Sequence, residues 1–153
     1  MINGKAVKAD FQFIGNRVRD LEIHTKMIDT IGKKVSTSFE FDYNIIELCE
    51  EKGHLFGVIE FLVKGKAKAG KSLLFSISLA MEGAFVGNPE LLSIDKFKDM
   101  LELNGVITLS QISRSFLISV TSQSGINPPV RLPMINVFAL REQKRNLLQK
   151  KDL

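Results

Sequence analysis

The chain has no tryptophan, one tyrosine, one cysteine, two histidines and four prolines in 153 residues. A single thiol, Cys49, excludes an internal disulfide framework. The two histidines, His24 and His54, stand at no metal-ligand spacing from each other or from Cys49, so the expectation is no metal and no metal cofactor. No G-x-S-x-G elbow is present, and the adjacent carboxylates Glu50–Glu51 read as a solvated turn. On this inventory the protein is not expected to be an enzyme. No apolar run approaches the roughly 18 residues that a membrane span needs, so membrane insertion is not expected. The opening MINGKAVKADF has no apolar segment behind it, and a cytoplasmic protein is the expectation.

What is present belongs to a single globular domain over residues 1–153, with 44% apolar and 25% charged residues. The net charge of +4 invites a nucleic-acid reading. Its lysines and arginines fall in separate clusters, Lys64–Lys71 and Arg141–Lys151, with acids between them in sequence. Basic loops on a soluble surface, and no nucleic-acid partner, are therefore expected.

One motif tests this directly. GKAKAGKS, residues 65–72, matches G-x-x-x-x-G-K-[ST] at every fixed position. A phosphate cradle needs a strand before the loop and a helix after it, whose free N–H groups surround the phosphates while the lysine, here Lys71, reaches them. The following SLLFSISLAMEGAFV places Leu73, Phe75, Ile77 and Leu79 two apart, which is strand alternation. The alternative drawing, with Leu73, Leu74, Ile77, Ala80 and Met81 on one helical face, keeps a nucleotide-binding enzyme open as a second reading.

Upstream, LEIH and STSFEFDYNIIEL alternate with period two, the latter through Phe39, Phe41, Tyr43 and Ile45. CEEKGH reads as a turn, HLFGVIEFLV as the next strand, and KGKAKAGKS as a basic hairpin loop. After Gly87 the pattern becomes helical. Ser93 or Asp95 caps a helix that Asn104–Gly105 ends, and a second helix runs towards Gly125 with Leu109, Ile112, Phe116 and Val120 on one stripe. Pro128, Pro129 and Pro133 impose an extended loop, and VFALREQKRNLLQKKDL closes the chain as a basic amphipathic helix. Strands followed by helices predict an α+β fold, an antiparallel four-stranded sheet with helices on one face.

Three stretches resemble SecB, the bacterial export chaperone family. LAMEGAFV is similar to the family's strand ending through Gly83, Ala84 and Phe85. The long helix resembles the family's through Leu109 and Arg114. The loop resembles it through Pro128, Pro129, Leu132, Pro133, Ile135 and Asn136, followed by Ala139 and Leu140. The resemblance implies an ATP-independent holdase without cofactors, assembled as a tetramer through edge strands and long helices. Unfolded preproteins would be its clients and the SecA motor its partner. It also implies an apolar groove at Phe39, Phe41, Tyr43, Met134, Val137 and Phe138, and an acidic motor-docking surface. Of that surface Asp20 matches, while His24 and Ser78 stand where acids are expected and Gln111–Ile112 replaces a Pro-Tyr pair. These departures point to SecB-like proteins that hold antitoxins as the other possibility.

Overall fold

The computed structural model describes residues 1–151. Four long strands come first: β1 (Phe11–Thr25), β2 (Val35–Glu51), β3 (His54–Ala69) and β4 (Ser72–Gly87). They form one antiparallel sheet in the order β1-β4-β3-β2, so β1 and β2 are its edges. Helices α1 (Ile94–Met100), α2 (Val106–Ser122) and α3 (Val137–Lys151) follow. The α+β class expected from the order of patterns is the class observed.

The hairpins are tighter than the sequence suggests. Cys49–Glu51 stay in β2, paired with Phe56, Leu55 and His54, and only Lys52–Gly53 turn the chain. Both turn residues have positive φ, 52° and 76°, the conformation of two-residue hairpin loops that follow the sheet's twist. Likewise β3 runs on through GKAKA to Ala69, and the turn is confined to Gly70–Lys71, with Gly70 at φ 60°. The alternation of small and basic residues is a strand pattern: Gly65, Ala67 and Ala69 are buried while Lys64, Lys66 and Lys68 are exposed.

The helices lie on the face that carries Leu55, Ile59, Phe61, Val63, Leu79, Met81 and Phe85, all of them buried. Glycines on that face let them come close. A Cβ at Gly83 would lie 2.7 Å from Leu109 Cδ2, and one at Gly87 would lie 2.8 Å from Phe97 Cδ2. Ser93 caps α1, its hydroxyl accepting from Lys96 N at 3.2 Å.

Asn104–Gly105 does not end this helix. Gly105 is right-handed helical (φ −61°, ψ −49°), and a π-helical turn over Leu101–Gly105 joins α1 to α2 without a break. The glycine serves proximity here: an added Cβ would sit 3.2 Å from Ile59 Cγ2. The buried side of α2 also differs from the expected stripe. Val106, Leu109, Ser110, Ser113, Leu117 and Thr121 face the sheet, whereas Ile112, Phe116 and Val120 are half-buried. Small polar residues take the inner positions because the helix rides close to the sheet. Their hydroxyls are served locally, Ser110 by Ile107 O at 2.8 Å and Thr121 by Leu117 O at 2.5 Å; Ser113 Oγ has no partner.

Candidate functional site

A depression of about 600 Å³ opens at the end of the sheet where β3 turns into β4, on its helix side. Its floor comes from Thr37 and Phe39 of β2, Ala67 of β3 and Phe75 of β4. Its far wall is the proline loop after α2, Gly125–Arg131. The loop is held as a wall by its own inward side chains: Ile126, Val130 and Leu132 are 8%, 4% and 1% exposed. Val130 N donates to Thr121 Oγ1 at 2.8 Å, so a buried backbone group of the loop is satisfied by the helix beneath it. Two cations, Lys26 and Arg131, line the cleft with no carboxylate beside them in its lining. The floor ends at the outer edge of β2, to which no strand pairs among the described residues.

Phe39 is the large aromatic of this floor, and its position is set by a glycine. Its cross-strand partner is Gly65, where a Cβ would lie 2.8 and 2.9 Å from two ring carbons. The ring therefore lies over a bare stretch of backbone, an aromatic covering a strand glycine. Phe41 continues the row, with its ring centroid 6.2 Å from Phe39 and 6.0 Å from Phe61. Thus the first glycine of GKAKAGKS seats an aromatic side chain, the second makes a turn, and Ser72 opens a strand. The helix that a phosphate cradle requires is not there.

The six residues named as a groove divide three ways. Phe39 lines the cleft and Phe41 adjoins it, half-buried. Tyr43 and Val137 are core residues, each 4% exposed. Tyr43 is sealed by α3: Lys144 Nζ lies 4.8 Å from the ring centroid, donates to Tyr43 O, and bonds Asp42 Oδ1 at 2.6 Å and Asn44 Oδ1 at 3.0 Å. Burial, and then the Glu102 carboxylate, push its phenol up to about 12. Met134 and Phe138 are 73% and 65% exposed and stand away from the cleft. Met134 Sδ lies 3.3 Å from an Arg114 nitrogen on α2, and the Arg141 guanidinium lies 6.0 Å from the Phe138 ring. Thr37, Phe75 and the residues of Gly125–Arg131 were not among the six named for the groove, although the resemblance had marked Pro128 and Pro129 of that loop. The signal for them was available in part, since Ile126 and Val130 frame the two prolines as apolar residues in an otherwise polar loop.

Elsewhere, Asp20 is exposed on β1 opposite Ala80, with Glu22 opposite Ser78 and His24 opposite Ser76. The uncovered face of the sheet buries two carboxylates, Glu60 and Glu82, which are cross-strand partners and each 6% exposed. Arg17 Nε bonds Glu82 Oε2 at 2.5 Å, Arg19 Nε bonds Glu60 Oε1 at 2.5 Å, and Asn44 donates to Glu60 at 3.4 Å. The two guanidiniums reach inward from β1 and fasten that edge strand to the centre of the sheet. Partial burial, then Glu47 and Glu51, push the Cys49 thiol up, which keeps it protonated and poorly nucleophilic. Among the described residues no three His, Cys, Asp or Glu side chains gather as a metal site, and no helix is long and apolar enough to cross a membrane.

No protein-family model matches the chain, and no curated protein matches it. Among solved structures it is similar to a SecB-like chaperone of Mycobacterium tuberculosis in complex with a peptide from the HigA1 antitoxin. The TM-score is 0.67 at 12% identity, over 87% of this chain and 96% of that one. A protein of unknown function from Streptococcus agalactiae superposes with a TM-score of 0.46 at 15% identity, over 81% of this chain and 97% of that one. The fold is SecB-like, as the resemblance of the strand end, long helix and proline loop implied.

Proposed function

We propose that this protein is a chaperone that holds unfolded polypeptide in extended form, without nucleotide and without covalent chemistry. The observation that carries this reading is the cleft of about 600 Å³ beside the unpaired edge of β2. An apolar floor takes side chains, and a free backbone edge next to it takes main-chain hydrogen bonds. A client strand laid along Val35–Phe39 would satisfy both. Sequence tolerance follows, because main-chain bonding reads no side chain.

An antitoxin-type client is the form of this reading that has most support. The similar fold from M. tuberculosis is in complex with an antitoxin peptide. Handover of preproteins to SecA has less, because His24 and Ser78 stand on the face of Asp20 where the resemblance calls for acids, and a row of lysines shares that face. The same reading includes a tetramer built through the β1 edge and the half-buried Ile112 and Phe116 of α2, working in the cytoplasm.

Light scattering of an aggregating client tests it. At several-fold excess and without ATP, the protein is expected to suppress aggregation, and Phe39→Asp, which puts a charge on the cleft floor, is expected to weaken suppression markedly. Failure of the unmodified protein to suppress aggregation of any client tried would refute the reading. Binding of a labelled nucleotide that disappears in Lys71→Ala would replace it with the phosphate-cradle reading.

A further inference from the structure

Lys64, Lys66, Lys68 and Lys71 form no ion pair among the described residues. The first three alternate with buried Gly65, Ala67 and Ala69, so they stand together on the sheet face opposite the helices, and all three are exposed. Their cross-strand neighbours are mostly short: Ser38 and Ser76 flank Lys66, Ser36 and Leu73 flank Lys68, and Glu40 and Ser78 flank Lys64. Lys64 and Lys66 form one side of a trough of about 290 Å³ that also holds Glu22, His24 and Glu40, and Lys68 continues the row beyond it.

The fold gathers more charge here than the sequence order implies. Antiparallel pairing returns the start of β2 to the same end of the sheet, where Gly70 N donates to Lys34 O at 3.1 Å. Residues 26–38 and 64–76 together hold Lys26, Lys33, Lys34, Lys64, Lys66, Lys68 and Lys71 against one carboxylate, Asp29. The proposed client cleft lies on the reverse of these same strands. Ala67 and Phe39 line it, while their chain neighbours Lys66, Lys68 and Ser38 point the other way. A single strand, β2, about 4.8 Å wide, separates the lysine row from the free edge.

We infer that the row Lys64–Lys66–Lys68, with Lys71 at the turn, docks an acidic stretch of the client polypeptide whose apolar segment sits in the cleft on the other face; this rests on the client-binding reading above. The lysines recur about every 6.8 Å, the same-face repeat of an extended peptide, so alternate Glu or Asp side chains match them one to one. A nucleic acid fits less well. The row offers no aromatic side chain for base stacking.

The test uses labelled peptides with one shared apolar segment and either a Glu-rich or a Gln-rich flank, a Glu-rich peptide alone, and an oligothymidylate of equal charge. Each is titrated by fluorescence anisotropy against the unmodified protein and against Lys64→Ser/Lys66→Ser/Lys68→Ser, whose fold is checked by circular dichroism. The Glu flank is expected to tighten binding about tenfold at low salt, as several exposed ion pairs together allow. That advantage is expected to vanish in the triple variant and to fade at high salt. The Gln-flanked peptide is expected to bind both proteins alike. Equal affinity for both flanks, an advantage that survives in the triple variant, or a preference for the oligothymidylate would overturn the inference. If neither apolar peptide binds, the cleft reading fails, and the Glu-rich peptide alone then decides the lysine row: binding lost in the triple variant keeps it as an acidic docking surface, and no binding removes it.

Discussion

Replacing Gly65 with alanine tests the seat of Phe39. A methyl at this position would lie 2.8 and 2.9 Å from the Phe39 ring and 3.0 Å from Ile77 Cγ1. Ordinary carbon contacts lie at about 3.5–4.0 Å, so something must retreat by about 1 Å. Ile77, 3% exposed on an inner strand, is fixed on all sides. Phe39 is half-buried on an edge strand and yields, swinging into the cleft. Overpacking of this kind costs about 1–3 kcal/mol. Removing glycine from a strand interior restores roughly 0.5–1 kcal/mol. The expected net loss is about 1 kcal/mol, or roughly 2–4 °C of Tm for a chain of this length. Client-peptide affinity should fall several-fold in the same variant, because the displaced ring occupies the floor. A double-mutant cycle with Phe39→Ala, followed by thermal denaturation, isolates the cause. With the ring gone, only the 3.0 Å contact with Ile77 Cγ1 remains, so Gly65→Ala should cost clearly less than it does with the ring in place. Additive effects of the two substitutions would show that the ring and the glycine do not share this space, and the account of the cleft floor would fall with them.

Two other outcomes follow from single side chains. Tyr43 is the sole tyrosine of a chain without tryptophan, so tyrosinate absorbance reports it alone. Its ionisation should centre near pH 12 in the folded protein instead of the ordinary 10.0. The folded state holds this proton more firmly than the unfolded one, so the stability it contributes is present below pH 10 and is lost as the pH climbs towards 12. A midpoint at the ordinary value would mean that α3 does not seal the ring. Thr121→Val removes the acceptor for buried Val130 N, which should cost about 1–3 kcal/mol in chemical denaturation and loosen the cleft wall, weakening peptide binding. Unchanged stability would show that the loop is held by its apolar side chains alone.

The sheet was legible because alternation with period two is a direct imprint of burial, and β2 to β4 alternate over most of their length. Less legible were places where a residue type has two uses. Asn104–Gly105 has the composition of a helix end, yet Gly105 is there to let Ile59 approach. GKAKA lacks large apolar residues and reads as a loop, although its small residues are the inward half of a strand covered by Phe39 and by the rim of the cleft. On α2, the stripe of large apolar residues drew attention away from Ser110, Ser113 and Thr121, which are buried because the helix lies too close to the sheet for anything bulkier. Of the site, the aromatic at Phe39 was readable from its strand. The loop opposite was marked by the resemblance through Pro128 and Pro129, but which of its residues form the wall was not, because that depends on how the loop returns across the sheet. Tyr43 and Val137 show the same limit from the other side: their spacing on the element was right, and only packing by α3 determines that they are core.

The π-helical turn at Leu101–Gly105 gives the helical layer of this protein a tolerance to the smallest possible length change. A π turn closes its hydrogen bonds one residue further on than an α turn, so it takes an extra residue into a single turn. Loss of one codon inside it would let the turn close as ordinary α-helix, with α2 keeping its direction and its buried side on the sheet. The same loss between Gly105 and Leu117 would instead rotate the rest of α2 by about 100°. Leu117 and Thr121 would then leave the sheet, and the proline loop tied to Thr121 would be carried along, with the cleft wall. In a lineage, length changes in the helical layer would therefore collect at this turn, whereas α2 itself would vary by substitution alone.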